Sequence, residues 1–208
     1  FPNYAATTTA LQTAGAYNDS TTGSAIGGSF RTPLFNKRLD VGVKGQWGHG
    51  AGRYSGSNLP DITAAPDGRI APLASFSGLG TLEFHATPRV DLVAYYGGDY
   101  VGRRAFVNSL GAPVGYGSPL FNNTGCNTEP LPGTGGFAPG ALANCAGDNR
   151  DIQEGTVAAW YQFYKGSAGR LREGLQYSHV QRQTWSGVGG QPVGNDNLFL
   201  TVFVYTLP

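Results

Sequence analysis

Charge is scarce in this chain. Asp, Glu, Lys and Arg make up 13% of its 208 residues, against roughly 25% in an ordinary soluble domain. The formal net charge is +1 and no run of Lys or Arg occurs, so the basic stripe that nucleic acid requires is missing. Helical patterning is missing too: no long window repeats apolar residues at i, i+3, i+4 and i+7. No stretch approaches the ~18 continuous apolar residues of a transmembrane helix. That excludes a helical span but leaves a β-barrel open, because barrel strands are short and alternate. Methionine is absent, and the opening Phe1-Pro2-Asn3-Tyr4 has no signal-peptide core. The chain is therefore read as processed or truncated, with part of the domain expected upstream. Cysteine occurs only at Cys126 and Cys145, both within a Gly/Pro/Asn-rich stretch. With no His nearby, a disulfide is favoured over a metal site, and it implies an exported protein. Such a bridge is worth roughly 3 kcal/mol.

Glycine (33 residues) and aromatics (12%) are abundant instead, and the apolar residues alternate. Leu39, Val41, Val43 and Trp47 alternate with Arg38, Asp40, Lys44 and Gln46. Phe76, Leu82 and Phe84 alternate with Ser75, Ser77, Thr81, Glu83 and His85. Val90, Leu92, Ala94, Tyr96 and Tyr100 alternate with Arg89, Asp91, Asp99 and Arg103. Further strands are expected at 24–33, at 155–164, from 170 and over 196–207, with a weaker one at 5–17. Gly78-Leu79-Gly80 falls inside a strand and precedes no helix, so it reads as a bend or close packing, not as a phosphate loop.

The connections alternate in length. Links at about 33–37, 86–89 and 166–169 are short; those at about 50–73, 105–153 and 186–195 are long. Tight turns at one end and long loops at the other are what a transmembrane β-barrel needs, with the turns periplasmic. In hydrocarbon the outer face must be apolar while the lumen can be polar. Val157, Ala159, Tyr161 and Phe163 then face lipid, and Thr156, Trp160, Gln162 and Tyr164 face the lumen. On the next strand Leu171, Leu175 and Tyr177 face lipid, opposed by Arg170, Arg172, Gln176 and Arg182. Aromatics near the strand ends suit interfacial girdles.

The last segment, Asn197-Leu-Phe-Leu-Thr-Val-Phe-Val-Tyr-Thr-Leu-Pro208, resembles the terminal strand of bacterial outer-membrane β-barrels, with Phe199, Phe203, Tyr205 and Leu207 in register. It departs from that pattern by ending in Leu-Pro where such strands end in or near an aromatic. Residues 155–208, with WYQFYKG, LQYS and TWSGVGG, resemble the C-terminal hairpin and strand of a porin-like outer-membrane family. The resemblance covers about a quarter of the chain. It implies an antiparallel barrel in a bacterial outer membrane and says nothing of the solute.

The expectation is one all-β domain over 1–208, an antiparallel transmembrane barrel with about eight strands visible, or the C-terminal part of a larger one. Its long external loop spans about 105–153. The inward set would be Arg38, Asp40, Lys44, Glu83, His85, Arg89, Asp91, Asp99, Arg103, Arg170 and Arg172. In a wide barrel these charges line a channel and set its ion preference. In a narrow one they pair and fill the lumen. Counted together their Arg residues outnumber the acids, which predicts mild anion selectivity. The function expected is a porin-like channel for small polar solutes. The alternatives are a structural or surface-binding barrel that holds a partner or plug, and a soluble secreted all-β binding domain. The inward Leu200, Val202 and Val204 favour a plug. Outer-membrane lipid, a second copy or a partner protein are the expected partners, with no nucleic acid and no cofactor.

No enzyme is expected. Glu173 and His179 interrupt the lipid face but stand roughly 20 Å apart along a strand, too far to act as one catalytic unit. Glu83 and His85 lie about 7 Å apart on one face, within reach of a pair, but no nucleophile accompanies them. His49 begins a loop. The Asn18 and Asn122 glycosylation patterns read as accidental.

Overall fold

The computed structural model of the chain describes residues 20–126 and 145–207; the weak strand expected at 5–17 lies outside them. The strands are β1 (Ser24–Leu34), β2 (Leu39–His49), β3 (Ile62–Ala64), β4 (Ile70–Pro72), β5 (Ala74–Thr87), β6 (Val90–Val101), β7 (Arg104–Val107), β8 (Pro113–Tyr116), β9 (Asn149–Gly166), β10 (Gly169–Thr184) and β11 (Val193–Thr206). Seven long strands form one sheet in the order β1-β2-β5-β6-β9-β10-β11. Every neighbouring pair is antiparallel. The sheet is open: β1 and β11 are its two edges. The two small hairpins β3–β4 and β7–β8 lie in the long links.

The expected alternation of connections holds. Tight turns at 35–38, 88–89 and 167–168 close one end, and long links close the other. The first turn carries Phe35, Asn36 and Lys37 in left-handed backbone, at φ 50°, 55° and 64°. The loop expected at 105–153 is corrected at both ends. It opens with the β7–β8 hairpin, and β9 begins at Asn149. Polar residues at 149, 150, 151 and 153 hid the start of that strand, where Ile152, packed against the core, is the one apolar side chain. Cys126 and Cys145 are disulfide-bonded, with Cα atoms 4.8 Å apart.

The sheet is inside out relative to a water-soluble domain. Its apolar face is exposed: Phe30 by 65%, Val43 by 56% and Phe199 by 79%. Its polar face is shielded, with Ser178 at 0% and Ser75, Asp99 and Thr156 also buried. The polar side chains are sheltered by curvature. One cavity is lined by Ser29 on β1 and by Thr156 on β9, four strand spacings away, or about 19 Å in a flat sheet. The polar face is therefore concave. Gly28, Gly45, Gly78 and Gly98 fall on one register line across β1, β2, β5 and β6. At Gly98 an added Cβ would stand 2.9 Å from the Ile152 carbonyl oxygen, so close approach of β6 and β9 requires glycine there.

One facing assignment changes. A register shift in β9 opposite Leu171/Arg172 pairs Arg172 with Gln162 and Leu171 with Tyr164. A bulge places two residues against one, so Tyr164 joins the outer face of Leu171 and leaves the lumen side expected for it. The Phe163 ring stays beside Tyr161, with centroids 4.9 Å apart.

Candidate functional site

The hydrophobic core is small and sits at the loop end of the concave face. Leu59, Leu73 and Val101 are its buried members, with Tyr116 and Ile152 packed against them. This core fastens the link after β2 inside the bowl. Gly50 N donates to Leu73 O (2.8 Å) and Leu73 N to Asp61 O (2.8 Å). The Asp61 carboxylate accepts from Arg53 N (2.7 Å) and pairs with the Arg53 guanidinium. Ser57 N donates to Asp99 Oδ2 on β6 (2.7 Å). The link thus folds over the polar face and borders a half-open cavity of about 710 Å³. Lys44, Gln46, Tyr95, Asp99, Glu154 and Tyr54 are among its lining residues.

Toward the tight turns, a second group forms. Arg31 donates to Asp40 Oδ2 and to Glu83 Oε2, both at 2.9 Å. His85 Nδ1 is 2.7 Å from Asp91 Oδ1, and its Nε2 is 3.6 Å from Asp40. Tyr95 Oη donates to Glu83 Oε1 at 3.3 Å. Registers bring these together: Asp40 faces Glu83, and His85 faces Asp91, across adjacent strands. Glu83 and His85 do not pair with each other, contrary to one option left by their spacing. Each reaches across the sheet to a neighbouring strand.

The structure divides the expected lumen set. Asp40, Lys44, Glu83, His85, Asp91, Asp99 and Arg172 lie on the polar face of the long strands. Arg172 stacks on the Trp160 ring at 4.5 Å, and Trp160 in turn overlies Gly174. Arg38 and Arg89 sit in tight turns. Arg170 is at the turn end of β10, opposite Lys165 and Thr206. Arg103 follows β6, stacks on Trp185 at 4.7 Å and donates to Ser186 O at 3.0 Å. It belongs to the loop assembly, not to the lumen wall. The alternation that suggested it ends at Val101, where the chain leaves the sheet. Sequence reasoning omitted Arg31 and Glu154. Arg31 alternates with Phe30, a signal that was available. Glu154 was hidden because β9 was expected to begin one residue later.

The loops beyond the sheet are knit together by Asn123, which is buried. Its Nδ2 donates to Trp185 O (3.0 Å) and Gly190 O (3.1 Å), and its Oδ1 accepts from Gly147 N at 3.3 Å, beside the disulfide. Nearby, Gly117 N donates to Asp148 Oδ2 and Tyr116 Oη to Asn149 O, each at 2.7 Å. Burial raises the Asp148 carboxyl above its ordinary range and holds the Tyr116 phenol protonated well past its usual pKa. On the outer face, Glu173 accepts from Thr201 Oγ1 (3.4 Å) and His179 meets Asn197 (3.0 Å). No family model, curated protein or solved structure matches this chain.

Proposed function

We propose that this sheet is the wall of an antiparallel β-barrel in a bacterial outer membrane, and that it passes small polar solutes. The observation that carries this reading is a slanted apolar band on the exposed face. On β2 the outward residues are apolar from Leu39 to Trp47; on β11 they run from Phe199 through Phe203 to Tyr205, with Thr201 between them. Hydrogen-bonded register links Val43 through Gly80, Tyr96, Gly155 and His179 to Asn197. It likewise links Leu39 through Phe84, Leu92, Ala159 and Leu175 to Thr201. Measured against those lines, the band slips toward the tight turns between β2 and β11. The slip is four residues at its lower edge and six at its upper edge. Five residues of slip over five strand spacings is about 17 Å against 24 Å, a tilt of about 35°. Membrane barrels tilt their strands by ~35–45° across an apolar band ~25 Å tall. Along the normal to such a band, Leu39 to Trp47 covers about 22 Å at that tilt. A water-soluble sheet has no reason to carry an apolar band oblique to its own hydrogen-bond register.

β1 and β11 run in the same direction, so antiparallel closure takes an odd number of further strands between them. The passage reading rests on the concave polar face and its cavity. Heat-modifiable gel mobility, together with conductance after reconstitution into planar bilayers, tests it. A chain whose mobility does not change on boiling is no barrel.

A second reading, a barrel that holds a plug, draws on β11. Leu198, Leu200, Val202 and Val204 lie on the concave side of that strand by register, opposite Ser178, Gln176, Gly174 and Arg172, and are not polar. A folded barrel without steady conductance would favour this reading over the channel.

A further inference from the structure

We infer that the cavity beneath the 54–57 link is a binding site for small zwitterionic solutes of short-peptide size. Glu154 meets the ammonium end and Lys44 the carboxylate end. The inference rests on the channel reading and deepens it. Register aligns Lys44, Leu79, Gly97 and Glu154 in one row across β2, β5, β6 and β9. The two charged residues are three strand spacings apart, about 14 Å along the wall. Both line the same cavity, and the intervening Leu79 and Gly97 carry no polar side chain to bridge them.

The state of the charges distinguishes this row from its surroundings. At the turn end, Arg31, Asp40, Glu83, His85 and Asp91 pair with one another. Asp99 is engaged by the Ser57 amide. Lys44 and Glu154 make no ion pair among the described residues, and the Glu154 carboxylate accepts only from the neighbouring Thr156 hydroxyl, at 2.8 Å. A cation and an anion, opposed across a half-open cavity and without an ion-pair partner among the described residues, are complementary to a solute bearing both charges. A solute with a single charge gains one attraction and meets one repulsion there, so it gains little.

The test is swelling of proteoliposomes containing the full chain, with triglycine compared against the neutral, similarly sized N-acetyl-diglycine amide. Triglycine should enter about five-fold faster, the yield of two partly exposed charge contacts. Lys44→Gln or Glu154→Gln should each remove most of that advantage, read as the ratio of the two entry rates within each variant. The exchange Lys44→Glu with Glu154→Lys should restore it, because a small zwitterion can enter reversed. This double exchange keeps the proposal falsifiable should a single variant fold poorly. Swelling with both solutes at equal rates would overturn the zwitterion site and leave the channel standing. No swelling with either solute would overturn the channel reading, and the site with it.

Discussion

Arginine introduced at two outward positions on one register line separates a lipid-facing wall from a water-exposed one. Val43 and His179 are joined by hydrogen-bonded register through Gly80, Tyr96 and Gly155. Val43 lies midway between Leu39 and Trp47, about 13 Å of strand from either, which is close to the middle of the slanted band. His179 lies beyond its upper edge on β10, where Tyr177 is the last apolar outward residue before His179, Gln181 and Gln183. Arg at a barrel's bilayer midplane costs about 2–4 kcal/mol, falling to about 0–1 near the interface. Val43→Arg should therefore lower unfolding free energy by about 2–4 kcal/mol and His179→Arg by less than about 1 kcal/mol. The side chain of Val43 is 56% exposed, so if this face met water, the same change would stay within about 0.5 kcal/mol. Urea titration of the chain in lipid vesicles, followed by tryptophan emission, reads both variants. Equal costs at the two sites would refute the slanted band, and with it the membrane reading.

Two further changes probe the turns and loops. Lys37 holds a φ of 64° in the first tight turn, a conformation that costs a non-glycine residue about 1 kcal/mol; Lys37→Gly should raise the urea midpoint by the equivalent of about that amount. Burial raises the Asp148 carboxyl in the folded loops, so the folded state holds its proton to higher pH than the unfolded chain does. The stability this contributes is complete below the ordinary carboxylate pKa and is lost as pH rises through the raised one. Asp148→Asn keeps an acceptor for Gly117 N. It should flatten that pH dependence of loop opening, read by hydrogen exchange at Gly117.

The strands, the alternating link lengths and the two-faced character of the sheet were legible because each depends on local periodicity. Phe30 beside Arg31, or Leu82 beside Glu83, fixes a face without knowledge of any partner strand. What escaped was whatever depends on pairing. The Arg31 guanidinium joins Asp40 and Glu83 only because β1, β2 and β5 lie side by side in that register. The bulge that turns Tyr164 outward leaves no mark in the alternation of β9. The fold of residues 51–61 into the bowl depends on Leu59 meeting Leu73 and Val101, contacts between segments that no spacing links. The start of β9 was missed for a different reason: beyond the apolar band a strand has no apolar face to announce it.

On the channel reading, those same pairings remove the ground for the expected anion preference. The anion selectivity suggested by the sequence counted Arg38, Arg89 and Arg103 with the lumen. Two of them lie in tight turns and the third is held in the loops by Trp185 and Ser186. Within the strands, the concave face carries Arg31, Lys44, Lys165, Arg170, Arg172 and Arg182 against Asp40, Glu83, Asp91, Asp99, Glu154 and Asp196. Equal numbers of each sign leave such a wall with no dominant field, so on the channel reading the pore should discriminate little between anions and cations. Any residual preference should fade as the screening length drops from about 10 Å at 0.1 M salt to about 3 Å at 1 M. Replacing Arg38 and Arg89 together by Gln should leave the reversal potential under a salt gradient near its wild-type value, since neither lines the cavity. Arg172→Gln should shift the reversal potential toward cations, because it removes a positive charge from the wall itself. An anion-selective wild type, or a clear shift from the turn double variant, would show that the mouth rather than the strand wall sets selectivity. The placement of the pore along the strand wall would then fall.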